Sequence, residues 1–252
     1  MPHRLDASHI ISTIERLALR IDERFPNAGL GRVATDLAAL AREAAAASAR
    51  LQRPYWVIRI GVGCIVVLGT ALLVLALRGL RVPRGIDSVA DMLQTIESGI
   101  NDAVFLGLAI YFLISLEQRI KRRQALALIH RLRGIAHIVD MHQLTKDPDR
   151  VRADRSATAS SPRPEMSIEA LGRYLDYCSE LLSLTSKVAA LFSERRSDPV
   201  VLAAVNEVEQ LATGLSTKIW QKITVLNNAR TVSSAEAAPQ PPALTRRSSA
   251  PR

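Results

Sequence analysis

The side chains best able to do chemistry crowd into one stretch, HIVDMHQLTKD at 137–147, with His130 upstream. On a helix His137 and Asp140 stand three apart on one face, with His130 two turns behind. Imidazoles and a carboxylate sharing a face are a ligand set for a transition metal. His130, His137 and Asp140 are therefore the candidate metal ligands. The plainer reading of the same stretch is a helix end whose polar groups cap the last carbonyls and face water. It has in its favour that His142 stands five residues after His137 and points elsewhere. No His-x3-His or Glu-x-x-His pair occurs either. Nucleophile chemistry is less well supported still. There is no G-x-S-x-G, and Cys64 and Cys178 form no C-x-x-C and have no neighbouring histidine. Gly61-Val62-Gly63 lies inside an apolar run, where glycine serves close helix packing rather than a phosphate loop. Lys218, Trp220 and Lys222 in TKIWQKI are basic and aromatic, and read as a tryptophan on the surface or in the core of a bundle. No catalytic residue and no cofactor is expected.

The elements that hold these residues are organised around a membrane hairpin at 55–116. Its first run, 55–77 (YWVIRIGVGCIVVLGTALLVLAL), spans roughly 34 Å as a helix, enough for a ~30 Å hydrocarbon core. Tyr55 and Trp56 stand at its start, where amphipathic rings favour the headgroup level. The second run, about 99–116, is shorter and carries Asp102 near its outer end. It reads either as a second span or as a buried core helix; the basic stop signal Arg119, Lys121, Arg122, Arg123 favours the span. Arginines and lysines flank both outer ends of the hairpin, which places both termini in the cytoplasm. The connection, 78–98, carries Arg78, Arg81 and Arg84, and the 3-4 spacing of Ile86, Val89, Leu93, Ile96 and Ile100 predicts a short amphipathic helix on the outer surface. Arg59 is the charge within the first run. It snorkels to the interface or lines a polar path through the membrane. An antiparallel partner puts Glu117 at the same depth, so an Arg59–Glu117 pair is expected.

Composition bounds the rest. The 252 residues carry 33 Lys and Arg against 24 Asp and Glu, a net charge of +9, with only 4% aromatics. On a membrane protein that surplus suits anionic lipid headgroups. Without basic patches interleaved with stacking aromatics, it does not suit nucleic acid. Two unpaired cysteines suit a reducing compartment. No signal peptide precedes the first run, which then serves as its own insertion signal.

In chain order the expectation is all-α. N-terminal cytoplasmic helices fill 1–54: one on Ile10, Ile14, Leu17 and Ile21, stopped at Phe25-Pro26-Asn27, and one on the seam Leu30, Val33, Leu37, Leu40, Ala44, Ala47, Leu51. Pro54 kinks or breaks the chain before the first span. The second span continues through 117–146 on Leu128, Leu132, Ile135, Val139 and His142, as one helix of about 40 residues. Residues 147–166 read as a flexible linker. An antiparallel pair follows at 167–229, capped by Ser167 and by Asp198-Pro199. The first of the pair has a double stripe, with Tyr174, Tyr177, Leu181, Leu184, Val188 and Leu191 beside Ile168 to Phe192. The second helix is lined by Val201 to Leu226. The segment 230–252 reads as a disordered tail. Either the four cytoplasmic seams close a bundle within one chain, or the wide stripe seats a second subunit through Leu181 and Leu184.

RLRGIAHIVDMHQLTKDP, YLDYCSELLSL and KIWQKI resemble segments of uncharacterised bacterial two-span membrane proteins. The resemblance covers most of the chain outside the linker and tail. It implies a bacterial inner membrane and attaches no activity, cofactor or site residue. Three functions remain on these grounds: a membrane-anchored assembly or scaffold protein, a metal- or ligand-binding sensor or enzyme using His130, His137 and Asp140, and a small oligomeric channel.

Overall fold

The computed structural model describes residues 5–51, 53–79, 89–146, 166–193 and 198–236, and every element among them is a helix. The elements are α1 (Ala7–Arg24), α2 (Gly29–Leu51), α3 (Trp56–Gly79), α4 (Val89–Leu144), α5 (Ile168–Ala190) and α6 (Pro199–Glu236). Each boundary has a local cause. Asp6 caps α1 by accepting from the Ser8 backbone N–H at 2.9 Å. The helix stops at Phe25, and Asn27 takes a left-handed φ of 64°, which asparagine tolerates better than most residues. Pro54 breaks the chain between α2 and α3, leaving two separate helices. Ser167 Oγ accepts from Ala170 N–H at 3.2 Å, and Asp198 accepts from Val200 N–H at 3.0 Å with Pro199 in the first helical position.

The helices divide by what they do with their apolar side chains. α1, α2, the C-terminal half of α4, α5 and α6 pack into one bundle with a continuous apolar core. Central in it is α5, which touches α1, α2, α4 and α6. That explains its double stripe: four neighbours cover it. Leu181 is 0% exposed and Leu184 8% within the single chain, so neither is free to face a second subunit, the alternative that the wide stripe also offered. Small residues add a second stripe to α2, where Ala34, Ala38 and Ala41 are buried beside the expected seam. Phe25 closes the α1–α2 turn against α5, edge-on to the rings of Tyr174 and Tyr177.

Among the described residues helix α3 packs only on α4, and the two expose large apolar side chains, among them Val57, Val67, Leu72, Phe105, Leu108 and Phe112. Both are long and apolar enough to cross a membrane, and none of the apolar window of either is buried. They pack tightly at Gly69, where an added Cβ would lie 3.0 Å from the Leu106 side chain. Gly63, expected to serve helix packing, faces open space, as does Gly107 on α4.

Three boundaries differ from expectation. The helix that carries the second run is longer than the expected length of about 40 residues and starts before residue 99: α4 begins at Val89 and runs unbroken for 56 residues, about 84 Å at ~1.5 Å per residue. The amphipathic stretch 89–100 is thus the first part of α4 rather than a separate surface helix, because Gly99 alone does not break a helix. α6 continues to Glu236, into the segment expected to be tail. Met166, placed in the linker, packs partly buried against the core. The rest of the expected linker, 147–165, the connection at 80–88, residues 194–197 and the segment from 237 lie outside the described residues.

Candidate functional site

The candidate metal ligands sit on α4 but are not brought together. His130 and His137 are exposed on the outer face of the helix. Asp140 is half-buried and accepts a 2.6 Å hydrogen bond from Gln143 Nε2. Among the described residues no group of three or more His, Cys, Asp and Glu is placed to hold a metal ion. His142 turns inward instead, its ring against Gly29 at the start of α2, where an added Cβ would collide with it. Burial lowers its pKa, helped by the nearby positive charges of Arg32 and Lys146.

The polar structure of the molecule lies at the two ends of the bundle. At the end next to the apolar helices, Lys121 is only 9% exposed. Its ammonium donates to Glu117 at 2.6 Å and to the Arg53 carbonyl at 2.9 Å, and lies 5.3 Å from the Tyr55 ring centroid. Glu117 also accepts from the Tyr55 backbone N–H at 3.3 Å, and the Tyr55 hydroxyl donates to Gln124 at 3.1 Å. These bonds tie the α2–α3 break to α4 where the bundle meets the two apolar helices. The hydrogen bond from Lys121 holds the Glu117 carboxyl below its ordinary pKa. The expected Arg59–Glu117 pair is thereby corrected: Lys121, one turn along the same helix, takes the carboxylate, and Arg59 adds only a weak field at longer range. Tyr55 is drawn into this neck, and only Trp56, 69% exposed, is left outward. Beside the neck, Arg122 donates to Asp198 at 2.9 Å and anchors the start of α6.

No family model, curated protein or solved structure matches this chain. The resemblance therefore rests on the quoted segments, and the site must be read from its own geometry.

At the far end, Lys222 donates to the Gln143 carbonyl at 2.8 Å and to Gln143 Oε1 at 2.6 Å. It caps the C-terminus of α4, where a cation meets the negative end of the helix dipole. Burial pushes the Cys178 thiol up to about 12, so it is no nucleophile at neutral pH. The Tyr174 hydroxyl is raised for the same reason. Trp220 lies on the surface, 62% exposed, at the rim of an open groove between α5 and α6. A larger open groove of roughly 650 Å³ lies over α1 and α2 and is crossed by the Glu15–Arg42 ion pair at 2.7 Å. Both are shallow and mixed in charge, without convergent polar groups.

The sequence shows Lys121 within the basic stop signal and Lys222 within TKIWQKI, and neither pattern points to a fastening role. Each fastens a partner 68 or 79 residues away in sequence, and helical periodicity carries no information at that range. The local signal available was a lysine on the buried stripe of each helix, Lys121 four before Ala125 and Lys222 three after Ile219.

Proposed function

We propose that this chain is a membrane-anchored helical assembly or scaffold protein. In this reading α3 and the N-terminal part of α4 form a two-span hairpin in a bacterial inner membrane. The bundle hangs beneath it in the cytoplasm, with both termini inside. The observation that carries the reading is the division of the apolar surface. The bundle buries its apolar stripes, whereas the apolar windows of α3 and α4 contain no fully buried residue. Leaving that much hydrocarbon in water is unfavourable by about 25 cal/mol per Å², so a lipid solvent is the simplest partner. Charge supports it. Arg53, Arg59, Arg119 and Arg123 are exposed around the neck, where Glu117 is engaged by Lys121 and Asp198 by Arg122. Arginines there suit anionic lipid headgroups, each worth about 1 kcal/mol near a charged surface. An assembly role is favoured over an enzyme because the described polar clusters, at the neck and under Lys222, hold helices together and leave no group pointed at a ligand.

Alkaline extraction of cell membranes tests the anchor. The full chain should stay in the pellet, and a Val67→Arg/Leu108→Arg double variant should be largely lost from it. Full release of the unmodified chain would refute a spanning hairpin.

A further inference from the structure

One stripe of α4 turns from apolar to basic where the helix leaves the apolar hairpin. Phe105, Leu108, Phe112, Leu116, Arg119 and Arg123 follow at 3-4-4-3-4 spacing, so they share one helical face. All six are exposed. The face that α4 turns to α3 is a different one, marked by Leu106 against Gly69 and by Glu117 accepting from the Tyr55 N–H. The stripe therefore looks outward from the hairpin. Among the described residues neither Arg119 nor Arg123 has an ion pair, and the acids at the neck are engaged elsewhere: Glu117 by Lys121, Asp198 by Arg122. One turn apart, the two arginines are neighbours on the helix surface. Their guanidinium forks match the oxygens of a phosphate.

The lengths match a lipid molecule. Phe105 to Leu116 covers about 17 Å at ~1.5 Å per residue, against ~15 Å for half of a ~30 Å hydrocarbon core. Glu117, tied into the neck, marks the level where that core ends. Arg119 lies about 3 Å beyond it and Arg123 about 9 Å, and the headgroup layer adds ~5–7 Å on each side. The long Arg123 side chain reaches back into that layer. We propose that this stripe binds one anionic phospholipid of the cytoplasmic leaflet. An acyl chain runs along Phe112 and Leu116, and the phosphodiester sits between Arg119 and Arg123. The site rests on the membrane reading and adds to it a single place with a chosen lipid class. Arg53 and Arg59, the other exposed arginines of the neck, stand six residues apart across Pro54 and lack the one-turn spacing. A zwitterionic lipid offers the same acyl chains, but its own cation faces the arginines. Free phosphate offers the charge without the chains.

Native mass spectrometry of the full chain, purified in a neutral detergent, counts bound lipids directly. Each arginine near an anionic headgroup is worth about fivefold in affinity, so the two should make phosphatidylglycerol bind at roughly 30-fold lower concentration than phosphatidylcholine. Arg119→Gln with Arg123→Gln should remove that preference, and Arg119→Lys with Arg123→Lys should keep most of it. Arg16→Gln with Arg24→Gln, the same charge change on exposed arginines of α1, should leave it intact. Phe112→Ala with Leu116→Ala should weaken both lipids alike. The Arg119→Gln/Arg123→Gln protein should melt with the wild type, because both side chains are exposed. Equal retention of both lipids by the unmodified chain, or a preference that survives Arg119→Gln/Arg123→Gln, would overturn the proposal. Displacement of the lipid by millimolar inorganic phosphate would overturn a phospholipid as the ligand. Alkaline extraction of membranes separates the two readings. A chain retained in the pellet without any headgroup preference loses the lipid site alone. A chain that is extracted yet keeps the arginine-dependent preference keeps the site and loses the spanning hairpin.

Discussion

Removing the Lys121 ammonium while keeping its stem, as in Lys121→Met, should unfasten the neck. The lysine is nearly buried, and its partners Glu117 and the Arg53 carbonyl lie at 2.6 and 2.9 Å. A hydrogen bond to a charged group contributes about 1.5–3 kcal/mol. Stripping one partner from a fully buried ion pair costs roughly 3–5 kcal/mol. The Glu117 side chain keeps 17% of its surface in solvent and still accepts from the Tyr55 N–H, so the cost falls toward the lower figures, about 2–3 kcal/mol. For a chain of this size that lowers Tm by roughly 5–10 °C. Far-UV circular dichroism melts of the detergent-solubilised full chain would show it. Glu117→Gln added to Lys121→Met should restore most of the loss, because the stranded carboxylate is gone. Arg131→Met, which breaks a pair about half exposed on both sides, should cost no more than about 1 kcal/mol. The pH limb gives an independent check. Glu117 has a lowered pKa when folded, so its contribution is complete above the ordinary value of 4.5 and is lost as pH falls through the folded value. Lys121→Met should flatten that acid limb. A Lys121→Met protein that melts with the wild type would refute the neck as a fastening.

Further outcomes follow from the core and the far end. Leu181→Glu with Leu184→Glu should abolish the cooperative melt rather than give a folded monomer, since unpaired carboxylates would enter the core; a well-folded double variant would show that face to be free. Gly29→Ala should destabilise by about 1–3 kcal/mol, as expected for overpacking, and His142→Ala in the same chain should recover much of it in the same melts. The His142 pKa is lowered when folded, so stability should be flat above the ordinary value of 6.5 and fall as pH drops from there through the folded value. His142→Ala should remove that slope, and an unchanged slope would point to another group.

The bundle was legible because its seams are local. Ile10, Ile14, Leu17 and Ile21 are all buried, as are Leu128, Leu132, Ile135 and Val139, and each set declares itself within a few turns. His142 was legible only as a seam residue; its position against Gly29 depends on α2, more than a hundred residues earlier. The width of the α5 stripe is legible in the sequence, but its occupant stays open there between the chain's own helices and a second subunit, because periodicity tells how much of a helix is covered and not by which chain. The Glu117 partner was missed for the opposite reason: depth across the membrane pointed to Arg59, while the nearer Lys121 one turn along was read only as part of a basic stop signal. Among the described residues the candidate metal set gains no further ligand, and three residues on one helix face cannot surround an ion without ligands from elsewhere.

The measurement that bears most directly on the account is the sidedness of the chain, read by topology reporters fused after Ser12, Ser88 and Ser248 in bacterial cells. The account predicts cytoplasmic signals at Ser12 and Ser248 and an external signal at Ser88. A cytoplasmic signal at Ser88 would contradict the hairpin on which the bundle's placement rests.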